Sequence, residues 1–109
     1  MTSLHAACII QTTLADQSQA DALIAALLNQ QLAACIQQES VHSHYSWQDK
    51  LCRDQEIRLS IKTLACHYPA IEALINTHHP YDCPEVVMWQ LDALSPDYHQ
   101  WLSEVCADG

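Results

Sequence analysis

From Leu32 to Thr63 the chain reads LAACIQQESVHSHYSWQDKLCRDQEIRLSIKT, two long strand-like runs around one polar turn. In the second run Ile57, Leu59 and Ile61 alternate with Glu56, Arg58, Ser60 and Lys62, the period of two expected of a strand with one buried face. The first run carries the same period more weakly, with Val41, Tyr45 and Trp47 on one parity and Ser40, His42, His44 and Ser46 on the other. Gln48, Asp49 and Lys50 make the turn. At roughly 3.3 Å per residue, an unbroken strand from Leu32 to Trp47 spans on the order of 50 Å. A compact domain of this length has a radius of gyration of only about 13 Å. The hairpin must therefore bend or project beyond its own core. A projecting two-stranded ribbon is marginal in water, and one that bears Tyr45 and Trp47 needs a surface to lie against. A second copy of the chain is the simplest cover, so oligomerisation is expected.

The flanking patterns supply the other elements. His5 to Thr13 is a short apolar run that predicts a buried strand. Asp16, with Gln19 three residues on, forms a capping box. Ala20, Leu23, Ile24, Leu27 and Leu28 follow at helical spacing, predicting a helix from Gln17 to Gln31. Tyr68, Ile71, Leu74, Ile75 and His78 predict a second helix over His67 to His79, with Pro69 in its first turn and Pro80 as its stop. Pro84 to Leu91 is apolar on both parities, as in a strand covered on both faces. Ser95 caps a last helix with Pro96 at its first position, burying Tyr98, Trp101, Leu102 and Val105. The order βαββαβα describes an α+β ferredoxin-like sandwich, 1–109 as one domain, with an extended central hairpin and an extra C-terminal helix.

Composition narrows the function. Thirteen acidic residues against four basic ones give a net charge of -9, which disfavours nucleic acid and anionic membrane as partners. The single glycine is Gly109, so Gly-rich phosphate loops, dinucleotide turns and the nucleophile elbow are absent. Six cysteines show no Cys-x-x-Cys pair, and the chain's start lacks a basic segment followed by an unbroken apolar run. Reduced thiols in a cytoplasmic protein are the expectation.

The densest polar cluster is HHPYDCPE, His78 to Glu85. Two prolines stiffen it and hold an imidazole, a thiol and a carboxylate near one another at low entropic cost. His79, Cys83 and Glu85 are the candidate metal ligands, and imidazole with thiolate suits copper or zinc. The same cluster also reads as a stiff helix-to-strand connection whose polar groups bond backbone. His42 and His44, two apart on one strand face, form a weaker candidate pair. Lys62, near the inner end of its strand, could orient an anionic ligand at a subunit boundary. No Ser/His/Asp or Cys/His order stands out, and a binding protein rather than an enzyme is expected.

Six segments, TTLAD (Thr12 to Asp16), LAACI (Leu32 to Ile36), SHYSW (Ser43 to Trp47), EIRLSIKT (Glu56 to Thr63), HPYDCPE (His79 to Glu85) and YHQWL (Tyr98 to Leu102), together resemble in order and spacing the CutA family of divalent-cation tolerance proteins. The resemblance implies a homotrimer built through the extended hairpin, similar in architecture to PII signalling proteins, and a link to copper or another divalent cation held weakly. It places His79 and Glu85 at a polar inter-subunit cleft, with Tyr45, Trp47, Lys62 and Tyr81 nearby. Asp49 stands where the family usually has glycine, Ala15 where it has proline, and Thr12 where some members place a thiol. A PII-like sensor that binds a small organic ligand in the same cleft and signals to a protein partner is the alternative.

Overall fold

The computed structural model describes residues 6–106, so His5, the expected head of the first strand, lies outside the described residues. Strand β1 (Ala7–Leu14) leads through helix α1 (Gln17–Asn29) into the hairpin of β2 (Cys35–Trp47) and β3 (Lys50–Leu64). A 3-10 turn at Ala65–His67 opens helix α2 (Tyr68–His78), followed by β4 (Val87–Gln90) and helix α3 (Pro96–Val105). The strands form one four-stranded sheet in the order β2-β3-β1-β4, antiparallel throughout. This is the ferredoxin-like arrangement that the pattern predicts.

Local chemistry explains the element ends. Asp16 Oδ1 accepts the Gln19 amide at 2.9 Å, while Gln19 Oε1 accepts the Ala15 amide at 3.2 Å. The capping box is thus reciprocal, reaching one residue further out than its usual form. Helix α1 ends two residues before the expected Gln31 in a Schellman motif: the Leu32 amide bonds Leu27 O at 3.0 Å and the Gln31 amide bonds Leu28 O at 3.1 Å. Gln31 takes φ 57° there, a left-handed position usually given to glycine. That motif delays β2 to Cys35. At the far end Trp47 pairs with Lys50, and Gln48 and Asp49 turn the chain with φ 52° and 64°. Two positive φ angles make a type I′ turn, whose twist matches the strands it joins. Lys50, expected in the turn, is the first residue of β3.

Sheet parity decides where the core lies. Cys8, Ile10, Thr12 and Leu14 oppose Thr63, Ile61, Leu59 and Ile57 on one face. Helices α1 and α2 cover that face with Ala20, Leu23, Leu27, Ile71 and Ile75. Helix α3 packs beside the inner end of β3, where Leu102 and Cys106 join Leu64 in a separate small cluster. Tyr98 and Val105 are half-buried and Trp101 is exposed, so only Leu102 of the four expected anchors is buried. The covered-strand reading of Pro84 to Leu91 is also corrected. Strand β4 is a four-residue edge, and Val87 and Trp89 stand exposed on its helix-free face while Val86 and Met88 pack on the core.

The ladder between β1 and β3 ends at Leu14 and Ile57, whereas β2 and β3 stay paired to Trp47 and Lys50. Residues 41–56 therefore project as a bare ribbon. They stretch the molecule to 45 × 27 × 22 Å and raise its radius of gyration to 14.6 Å, above the roughly 13 Å of a compact chain of this length. Val41, Tyr45 and Trp47 oppose Glu56, Cys52 and Lys50, on the face away from Leu59 and Ile61. The hairpin thus changes its apolar side along its length.

Candidate functional site

Where the ribbon leaves the sheet, it meets the connection between α2 and β4. The two enclose a groove of about 680 Å³ lined by Thr13 from β1, Ser43, His44, Tyr45, Trp47, Asp54 and Glu56 from the hairpin, and Pro80, Tyr81, Asp82, Cys83 and Glu85 from the connection. Four of these residues carry carboxylates and none is Lys or Arg. Strand alternation puts Asp54 and Glu56 on one side of β3, opposite Ser43 and Val41 in register. The connection is held in place by Pro80, which turns His79 to extended backbone (φ -94°, ψ 131°) and stops α2.

His79 anchors the connection from behind. It is buried, and its Nε2–H donates to Thr13 O at 2.5 Å while its Nδ1 accepts the Tyr81 amide at 3.2 Å. A carbonyl only accepts and an amide only donates, so the ring proton sits on Nε2. Neither ring nitrogen is left for a metal in this arrangement. The imidazole instead packs against the Tyr81 ring, tilted at 55° with a centroid distance of 4.4 Å. Tyr81 in turn donates its hydroxyl to Glu56 Oε2 at 3.2 Å, and Tyr45 donates to Asp54 Oδ2. Both phenols are pushed above their ordinary range: Tyr45 to about 12, chiefly through the hydrogen bond to Asp54, and Tyr81 by burial and then the Glu56 charge. They remain donors at neutral pH.

The other expected residues divide. Tyr45, Trp47, Tyr81, Cys83 and Glu85 share the groove, with Cys83 exposed and Glu85 accepting from Gln11 Nε2 at 2.8 Å. Lys62 is not brought to it. Its ammonium lies 5.7 Å from the centre of the Tyr98 ring, at the inner end of β3. His44 lines the groove, and His42 does not. Asp54, Asp82 and Thr13 had no sequence signal of their own, and Glu56 read only as a polar position of an alternating strand. The donor set of thiol, imidazole and carboxylate suits a borderline divalent ion. Among the described residues, however, no three such side chains converge closely enough to hold one. No helix among these residues is long and apolar enough to cross a membrane.

Comparison with known proteins agrees with the architecture. The family model described as CutA1 divalent ion tolerance protein matches residues 8–105. The divalent-cation tolerance protein CutA of Pyrococcus horikoshii is 30% identical over 96 residues, covering 88% of this chain and 94% of that protein. The corresponding protein of Citrobacter koseri is 31% identical over 102 residues, covering 93% and 89%. The crystal structure of CutA1 from the psychrotrophic bacterium Shewanella sp. SIB1 superimposes with a TM-score of 0.89 at 34% identity, covering 94% of this chain and 96% of that one. The structure of CutA1 from Oryza sativa reaches a TM-score of 0.91 at 25% identity, covering 95% and 96%. With the ferredoxin-like sheet, the long hairpin and a match running nearly end to end, this chain belongs to the CutA1 divalent ion tolerance family.

Proposed function

We propose that the chain serves divalent-cation tolerance as a homotrimer, binding copper or another divalent ion weakly in the groove where copies meet. The observation that carries this reading is the groove's composition: four carboxylates, the Cys83 thiol and the His44 imidazole, with no Lys or Arg to neutralise them. Cys83 and Glu85 are the ligands this chain offers from the connection, and His79 positions them by fixing the backbone it precedes. One chain's set is incomplete, so a neighbouring copy supplies the remaining donors. Assembly is supported by apolar surface that water disfavours: Leu51 is 92% exposed at the ribbon's end, and Trp89 and Val87 stand on the bare face of β4. The thiols suit a reducing, cytoplasmic setting. The protein acts as a binder, with no catalytic role assigned to any residue.

Titrating the purified protein with copper tests the site. Cys83→Ala combined with Glu85→Gln is expected to weaken binding at least tenfold without changing the helical signal, and an unchanged affinity overturns this assignment. Light scattering that shows a monomer at micromolar concentration overturns the assembly. A second reading, a PII-like sensor for a small organic ligand, is favoured by the groove's size, which far exceeds one hydrated ion.

A further inference from the structure

The groove holds features that a metal ion leaves unused. Its volume of about 680 Å³ lies within the roughly 300–1,000 Å³ of sites for organic molecules. Tyr45, Trp47 and Tyr81 stand on its walls, 41, 47 and 37% exposed. Glu56 is only 6% exposed, and its one partner among the described residues is the Tyr81 hydroxyl. The one ion pair among those residues joins Arg58 to Glu39 instead. A buried carboxylate with no opposing cation is costly, and it favours a ligand that brings one. Asp54, two residues back on the same side of β3, is held among the described residues by the Tyr45 hydroxyl.

We infer that this groove binds an aliphatic polyamine, with ammonium groups on Glu56 and Asp54 and the methylene chain against Tyr45, Trp47 and Tyr81. Each part of that chemistry answers a feature of the wall. Ammonium N–H groups donate to carboxylate oxygens that the tyrosine hydroxyls leave unused. The aromatic faces attract the same cations and cover the alkyl segments. A quaternary ammonium has no N–H to give, a neutral molecule brings no charge to Glu56, and an anion is repelled by a chain of net charge -9. The inference deepens the organic-ligand reading of the groove and rests on it. It uses residues other than Cys83 and Glu85.

Calorimetric titration of the full chain in its native assembly with spermidine, in the presence of EDTA, tests the site. Saturable binding is expected, weakened about tenfold by Glu56→Gln and by Trp47→Ala. Trp47→Phe, which keeps a ring, stays within about threefold of the parent. Asp97→Asn with Glu104→Gln, which removes equal or greater charge from α3, leaves binding unchanged. An absence of saturable binding at millimolar spermidine overturns the proposal. A loss in the α3 double variant as large as in Glu56→Gln also overturns it, because the amine would then be following diffuse surface charge. Copper affinity that ignores Cys83 while spermidine still depends on Glu56 supports the polyamine site and removes only the metal assignment.

Discussion

Residues 57–64 and residues 50–56 belong to one strand, β3, and follow one period, yet they live in different environments. In the inner stretch Leu59 and Ile61 are fully buried under α1 and α2, whereas Leu51, in the outer stretch, is 92% exposed. The backbone ladder to β2 runs unbroken through both. What differs is the neighbouring layer: β1 pairs no further than Leu14 and Ile57, and beyond them the ribbon leaves the sheet, with Glu56 meeting Tyr81 of the connection and Leu51 in water. The inner stretch is stabilised within the chain. The outer stretch keeps its strand geometry by pairing with β2 and by the contacts of Asp54 and Glu56 with Tyr45 and Tyr81.

Leu59→Ala should remove about 3 kcal/mol from unfolding free energy in urea, the usual loss for a buried aliphatic truncated in a core. Leu51→Ala should remove under about 1 kcal/mol when the protein is dilute, because there is no burial within the chain to lose. A loss at Leu51 that grows with protein concentration shows that another copy supplies its cover, whereas the Leu59 loss is the same at every concentration. Equal, concentration-independent losses at the two sites would erase the contrast.

Alkaline titration separates the same two regions. Burial, then the neighbouring Cys66 and Cys106, pushes the Cys8 thiol from 9.0 to about 11. Its contribution to stability is complete below pH 9, where the unfolded chain also keeps the proton. Between pH 9 and 11 the unfolded state ionises first, so stability falls as pH rises by at most about 3 kcal/mol. Cys8→Ala should flatten that segment of the curve. In the ribbon, phenolate absorbance should show Tyr45 ionising near pH 12, and Asp54→Asn should return it toward 10. The smallest expected effect is at the tip, where Asp49→Gly should stabilise by about 0.5–1 kcal/mol by relieving a φ of 64°. No change there would mean that Asp49 carries no strain at the turn.

The long hairpin was legible because Ile57, Leu59 and Ile61 repeat the two-residue period without interruption. Asp16, Pro69, Pro80 and Ser95 marked helix ends through steric and capping rules that act within a few residues. The end of α1 was hidden, since Gln31 occupies a left-handed position that only glycine announces. The prolines and mixed donors around His79 marked the connection that lines the groove, yet the histidine turned inward. Nothing in its neighbours along the chain shows that Thr13 O, distant in sequence, is waiting for its Nε2–H. Parity placed Lys62 on the side of β3 that carries Glu56, and its distance along the strand put it beside Tyr98.

Taken alone, the sequence determined the order of elements, the excess length of the ribbon and the acidic character of its surroundings. Periodicity, prolines and charge are properties of neighbouring residues, and they act before the chain is folded. The tertiary structure decided which carboxylates share the groove, which imidazole is consumed in holding it, and which face of the hairpin is left uncovered. Those outcomes depend on strand register and on where the covering layer ends, and both arise only when residues far apart in the chain pack together.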